Sequence, residues 1–220
     1  AFNLAHVSQS LDLDVYLLNR FKEKTKCKNV IIPISYFSFN HSLLDSKESW
    51  RMTNYYYYYG FKDIGIHDKI FLFTHTKGFL STLVNPIFNS DSSRRLVDNN
   101  GFNGGEHSYS TISIENAKSA LARHSMPAEV LLNDYKKNKQ LRSLEACVSQ
   151  NPDLHFFFIT LPVHKYYAEG RDNRQLKYIN KCIEHLTSRY NNVEYINYDS
   201  MVLADTCFKD SDHLSIHGAK

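Results

Sequence analysis

The sequence predicts an α/β domain on a doubly wound parallel sheet, from three observations. Short runs of strand length, such as 30–37 and 154–160, alternate with longer stretches whose apolar residues recur at helical spacing. These runs are apolar at almost every position, as parallel strands buried on both faces should be. Strand, helix and strand in succession form the right-handed crossover unit of such sheets. At 220 residues the chain is long enough to bury a substantial core, and a single domain over 1–220 is expected.

The elements follow in order. A first short strand is expected to end near Ala5. Beyond an N-cap at Ser8 or Ser10, Leu11, Val15, Leu18 and Phe21 mark a crossover helix. Lys22, Lys24, Lys26 and Lys28 complement the dipole where that helix ends. The run 30–37 is the next strand. Residues 39–151 carry less regular signals and read as a mainly helical insertion between core strands. It holds helices over 46–59 and 114–123, a Gly/Asn-rich loop over 99–105 and, after Pro127, a helix over 128–148. Such an excursion leaves the C-terminal side of the sheet, where α/β proteins carry their specificity elements. A strand over 154–160, a helix over 172–190 with Leu176, Ile179, Ile183 and Leu186 on one stripe, and a strand over 193–198 complete the pattern.

Composition excludes several function classes. The 26 basic and 23 acidic residues are interspersed and leave a net charge of +3, without the basic stripe of a nucleic-acid binder. No apolar run approaches the roughly 20 residues of a membrane span, and no signal-peptide pattern is present. The sequence does not distinguish bacterial cytoplasm from periplasm. Cys27, Cys147, Cys182 and Cys207 lie far apart without a C-x-x-C pair and are expected as free thiols. The run from Tyr55 to Tyr59 would present rings all round a helix, leaving some exposed or packed on the insertion; sugar contact is one use for them.

The chemistry is concentrated at the C-terminus, where Asp210 precedes His213 by three residues. On a helical turn, residues i and i+3 share a face, so Asp210 can hold the His213 imidazole as a general base requires. Asp212 lies off that face and is expected as a solvated acid or helix cap. Asp210, Asp212, His213 and His217 also form a set that zinc could use. Proton transfer by an Asp-His pair needs no metal, and neither a metal nor another cofactor is expected.

The closing block, Phe208-Lys209-Asp210-Ser211-Asp212-His213-Leu214-Ser215-Ile216-His217-Gly218-Ala219, resembles the end of the SGNH, or GDSL-like, hydrolases and acyltransferases. Residues 2–10 are similar to that family's second block, with Ser8 on its Gly. The third block falls on 35–38, where Phe37 stands in place of the family's Asn. No Gly-Asp-Ser or Gly-x-Ser-x-Gly occurs in the sequence.

The resemblance implies a three-layer α/β/α fold and an acyl transfer in which His213 is the base and Asp210 orients it. It implies an oxyanion hole using the Ser8 N–H and, after a local shift past Phe37, Ser38 or Asn40. His6, His164 and Tyr166 become substrate contacts. The nucleophilic Ser and the first strand are expected N-terminal to Ala1; the rival reading is a complete but catalytically inactive relative. The implied function is an ester hydrolase or O-acyltransferase acting on acetylated carbohydrate or polysaccharide. The alternative is an inactive carbohydrate-binding module of the same fold.

Overall fold

The computed structural model describes residues 2–62, 112–215 and 217–218. The loop expected over 99–105 lies outside them. Helix α1 spans Leu11–Thr25. Asp12 and Asp14 in its first turn and Lys22 and Lys24 in its last complement the dipole. It stops at Lys26, in the left-handed region at φ 50°, whose N–H donates to the Lys22 carbonyl. Strand β1 is Asn29–Pro33, β2 is His155–Thr160 and β3 is Val193–Asn197. They form a parallel sheet in the order β1-β2-β3. Between β1 and β2 lie α2 (Met52–Tyr59), α3 (Ile114–His124), α4 (Ala128–Leu132) and α5 (Lys139–Gln150). The short α6 (Lys165–Glu169) and the long α7 (Asn173–Arg189) connect β2 to β3.

The expected helix over 128–148 is broken in two. Asp134 accepts from the Lys136 N–H and Asn138 from the Leu141 N–H, so side chains that compete for backbone donors end one helix and start another. The helix expected over 46–59 opens as a 3₁₀ turn at Ser49–Arg51 before becoming α-helical. No strand forms over residues 2–6; the chain there has no described strand to pair with, and Phe2 and Val7 are exposed.

Register places Val30, Ile32, Phe156, Phe158, Val193 and Tyr195 on one face of the sheet. That face packs against α1, α3, α5 and α7 through Leu11, Leu18, Leu121, Leu144, Ile179 and Leu186. Helix α5, which falls within the expected insertion, is therefore part of the main core. Helices from both connections, α3 and α5 before β2 and α7 before β3, thus pack on this one face. The opposite face carries Ile31, Phe157 and Ile159. Ile31 is 65 % exposed, so β1 is not buried on both faces by the described residues. The outer edge of β1 pairs with no described strand. A second cluster, Leu13, Leu17, Leu43, Met52 and Tyr55, fixes α2 against the other side of α1. All four cysteines are free, and no described helix is long and apolar enough to cross a membrane.

The packing yields a stability prediction. Leu144 is fully buried and Leu132 is 87 % exposed. Leu144→Ala is expected to destabilise by about 2–5 kcal/mol, whereas Leu132→Ala should stay within about 0.5 kcal/mol of wild type. Urea titrations followed by circular dichroism measure both, and equal losses would contradict this core.

Candidate active site

The C-terminal ends of β1 and β2 open into one cleft of about 380 Å³. Residues following β1 (Ile34, Ser35, Phe37) and β2 (Leu161, Val163) line it, with Asp199 beyond β3. Asp212 and His213 close it. In an open parallel sheet this is the end at which ligands bind.

The loop carrying His213 is not helical. Phe208 and Leu214 form an antiparallel bridge, the Lys209 N–H donates to the His213 carbonyl at 2.9 Å, and the Ser215 N–H donates to the Cys207 carbonyl at 2.8 Å. Inside this closed loop Asp210 Oδ1 accepts from the N–H groups of Asp212 and His213, at 3.1 and 2.8 Å. The same oxygen meets His213 Nδ1 at 2.8 Å. Spacing alone predicts that contact, but an Asp-capped turn makes it rather than a helical one. Gly218 ends the loop against the Cys207 carbonyl, where a Cβ would stand 2.1 Å from the oxygen.

The electrostatics assign the protons. Burial opposes ionisation of Asp210, but the hydrogen bond from His213 and the backbone donors outweigh it and hold its carboxyl below the ordinary range. An ionised carboxylate only accepts, so Nδ1 of His213 carries the proton and Nε2 has the free lone pair. The bond to Asp210 raises the His213 pKa above its usual value. Its side chain is 66 % exposed, so the base is accessible.

Asp212 is not a solvated acid. Its side chain is largely buried, its Oδ2 lies 3.5 Å from His213 Nδ1 and 3.9 Å from His124 Nδ1, and burial raises its pKa. His124 was unmarked by any spacing in the sequence. Its Nδ1 hydrogen-bonds the Tyr167 hydroxyl at 2.7 Å, and its ring stacks on Phe37 at 4.1 Å. Burial pushes its pKa down to about 4, so it is a neutral imidazole facing Asp212.

The other sequence-predicted residues are dispersed around this centre, and none lines the cleft. Ser8 adopts φ 59°, the left-handed conformation for which the resembling motif uses Gly. Its hydroxyl donates to Glu48, and its carbonyl accepts from His41 Nε2 at 2.9 Å. Among the described residues its N–H has no acceptor. His41 in turn packs edge-on against Phe37, which links Ser8 to His124. Ser38 closes the turn after β1: its Oγ accepts from the Ser35 N–H at 2.8 Å and its own N–H donates to the Ser35 carbonyl. His6 meets the Tyr59 hydroxyl at 2.8 Å, within the aromatic cluster of α2.

His164 has a different job from the substrate contact expected of it. It is 2 % exposed; Nδ1 accepts from the Tyr166 N–H to cap α6, and Nε2 donates to Asp205 at 3.2 Å. Its backbone N–H donates to the Ser211 carbonyl at 3.0 Å, so it ties the chain after β2 to the loop carrying His213. Tyr166 packs edge-on against His164 and lies under Lys165.

A scan against protein-family models, a search of curated proteins and a search of solved structures each found no match. Of the alternative metal set, Asp210, Asp212 and His213 offer ligand atoms within 4.8 Å of one another, and His217 is outside that group.

Proposed function

We propose that the chain forms the base-bearing part of an SGNH-type ester hydrolase or O-acyltransferase. The observation that carries this reading is the Asp210–His213 pair, with Nδ1 held at 2.8 Å and Nε2 left as the base at the cleft. The nucleophilic Ser would come from sequence N-terminal to Ala1, on a strand pairing with the open edge of β1. Such a strand, with a helix over Ile31, would reverse the winding and complete a doubly wound, three-layer fold.

The Ser oxygen would attack the ester carbonyl carbon while His213 Nε2 takes its proton. Collapse of the tetrahedral intermediate breaks the bond to the alcohol, which leaves with the proton from Nε2. Water or a second alcohol then repeats the steps in reverse and frees the acyl group. The Ser8 N–H, the oxyanion donor that the resemblance implies, has a left-handed backbone and no described acceptor in its support, while Ser8 itself stands outside the cleft lining. Ser38 retains a hydroxyl proton to offer, but its turn role makes it the weaker donor.

Turnover of aryl esters by the protein with its natural N-terminus tests the reading. Activity should survive EDTA, because the nucleophile is activated by proton transfer. Loss of activity in EDTA with recovery in zinc would reassign Asp210, Asp212 and His213 as ligands. Glycan binding without turnover of any ester would instead favour an inactive recognition module. Ser35 is the internal control, since it lines the same cleft: loss of turnover in Ser35→Ala alone would relocate the nucleophile to this chain.

A further inference from the structure

We infer that the cleft beside His213 binds an apolar acyl chain of on the order of four to eight carbons, longer than acetyl; this rests on the ester-hydrolase reading above. A wall of Ile34, Phe37, Ile159, Leu161, Pro162 and Val163 is apolar, and the polar side chains among the remaining lining residues are mostly spent within the protein. The Arg171 guanidinium donates to both Asp199 oxygens at 2.7 and 2.9 Å and to the Ala168 carbonyl. The Thr160 hydroxyl donates to the Ile34 carbonyl and accepts from the Tyr195 hydroxyl. The Tyr36 hydroxyl accepts from the Asp172 N–H, and that of Tyr167 is bonded to His124. Ser35, Asp212 and His213 are left.

A sugar buried here would lose water from several hydroxyls and gain at most Ser35, Asp212 and His213 as side-chain partners, which opposes binding, whereas an alkyl chain has no such groups to desolvate. The volume of about 380 Å³ would hold on the order of ten heavy atoms at about the 30 Å³ a water molecule takes in the liquid. The tyrosine run of α2 is elsewhere, and the cleft's own Tyr36 and Tyr167 have their hydroxyls bonded within the protein. Tyr55 and Tyr59 belong to the second apolar cluster, where Tyr55 donates to Gln9 and Tyr59 meets His6. An acceptor sugar, if there is one, approaches from outside this cleft.

The test is kcat/KM across 4-nitrophenyl esters from acetate to decanoate, using the protein with its natural N-terminus. Each added methylene should raise it by roughly fourfold until the cleft is full, so hexanoate exceeds acetate by on the order of a hundredfold. Leu161 follows β2 and is half exposed, so Leu161→Trp fills the cleft without disturbing the core. It should cut the hexanoate-to-acetate ratio by about tenfold or more. Acetate turned over as well as hexanoate would overturn the inference and leave the hydrolase reading standing. If no ester is turned over, the hydrolase reading falls, and binding of free hexanoate decides the cleft. Methyl resonances of Leu161 and Val163 that respond to hexanoate and not to acetate support an apolar chain site; no response overturns it.

Discussion

Replacing His213 with Ala is expected to lower kcat for an aryl ester by on the order of 10⁴-fold or more, with KM nearly unchanged. The general base acts on the transition state, while the cleft walls that hold the substrate are other residues. Folding should be unaffected. The imidazole is mostly exposed, and the backbone N–H groups of Asp212 and His213 would still satisfy Asp210 Oδ1. Steady-state kinetics beside a thermal melt separate the two effects. Undiminished turnover in a folded His213→Ala protein would remove the catalytic assignment.

The core of the fold was legible because parallel strands and amphipathic helices write their periods into the sequence. The strands at Phe156 and Val193 and the long helix carrying Ile179 and Ile183 fall where their apolar runs lie, whereas the strand at Val30 ends at Pro33, short of the run to Phe37, which turns away through the Ser35–Ser38 turn. What was not legible depends on neighbours far along the chain. Nothing near Phe2 says whether that segment has a strand to pair with, and the isolated segment stays irregular. The break before α5 turns on Asp134 and Asn138 capturing backbone N–H groups, which compete closely with a continuous helix.

The site divides in the same way. The contact between Asp210 and His213, three residues apart, is legible from spacing. His124 reaches Asp212 and Tyr167 across 88 and 43 residues, and no local pattern carries that. His164 has the signature of a loop histidine after a core strand; only its burial and its bonds to Tyr166 and Asp205 reveal a cap. On a helix Asp212 would lie off the face shared by Asp210 and His213. In the capped turn, it comes within 3.5 Å of Nδ1.

That turn makes the two substitutions of Asp210 separable. All three donors, the N–H groups of Asp212 and His213 and the imidazole Nδ1, converge on a single oxygen, Oδ1. In Asp210→Asn the backbone donors should keep the amide oxygen in that position, so Nδ1–H still finds an acceptor and Nε2 remains the base. Only the negative charge is lost, and kcat should fall by about 10- to 100-fold. Asp210→Ala removes the acceptor, frees the ring to turn or change tautomer, and should cost about 10³-fold or more. Asp212 is the nearest replacement acceptor, so Asp210→Ala combined with Asp212→Asn should lose more than the two single losses predict. The pH profile supplies an independent check. The bond to Asp210 is the largest cause raising the His213 pKa, so the wild-type acid limb of kcat/KM should lie above the ordinary imidazole value. Activity falls as pH drops through it, because Nε2 becomes protonated. Neutralising Asp210 makes the imidazolium less favourable, so the limb must move to lower pH in Asp210→Asn. An Asn variant as damaged as the Ala variant, with an unmoved limb, would mean that Oδ1 does not orient His213.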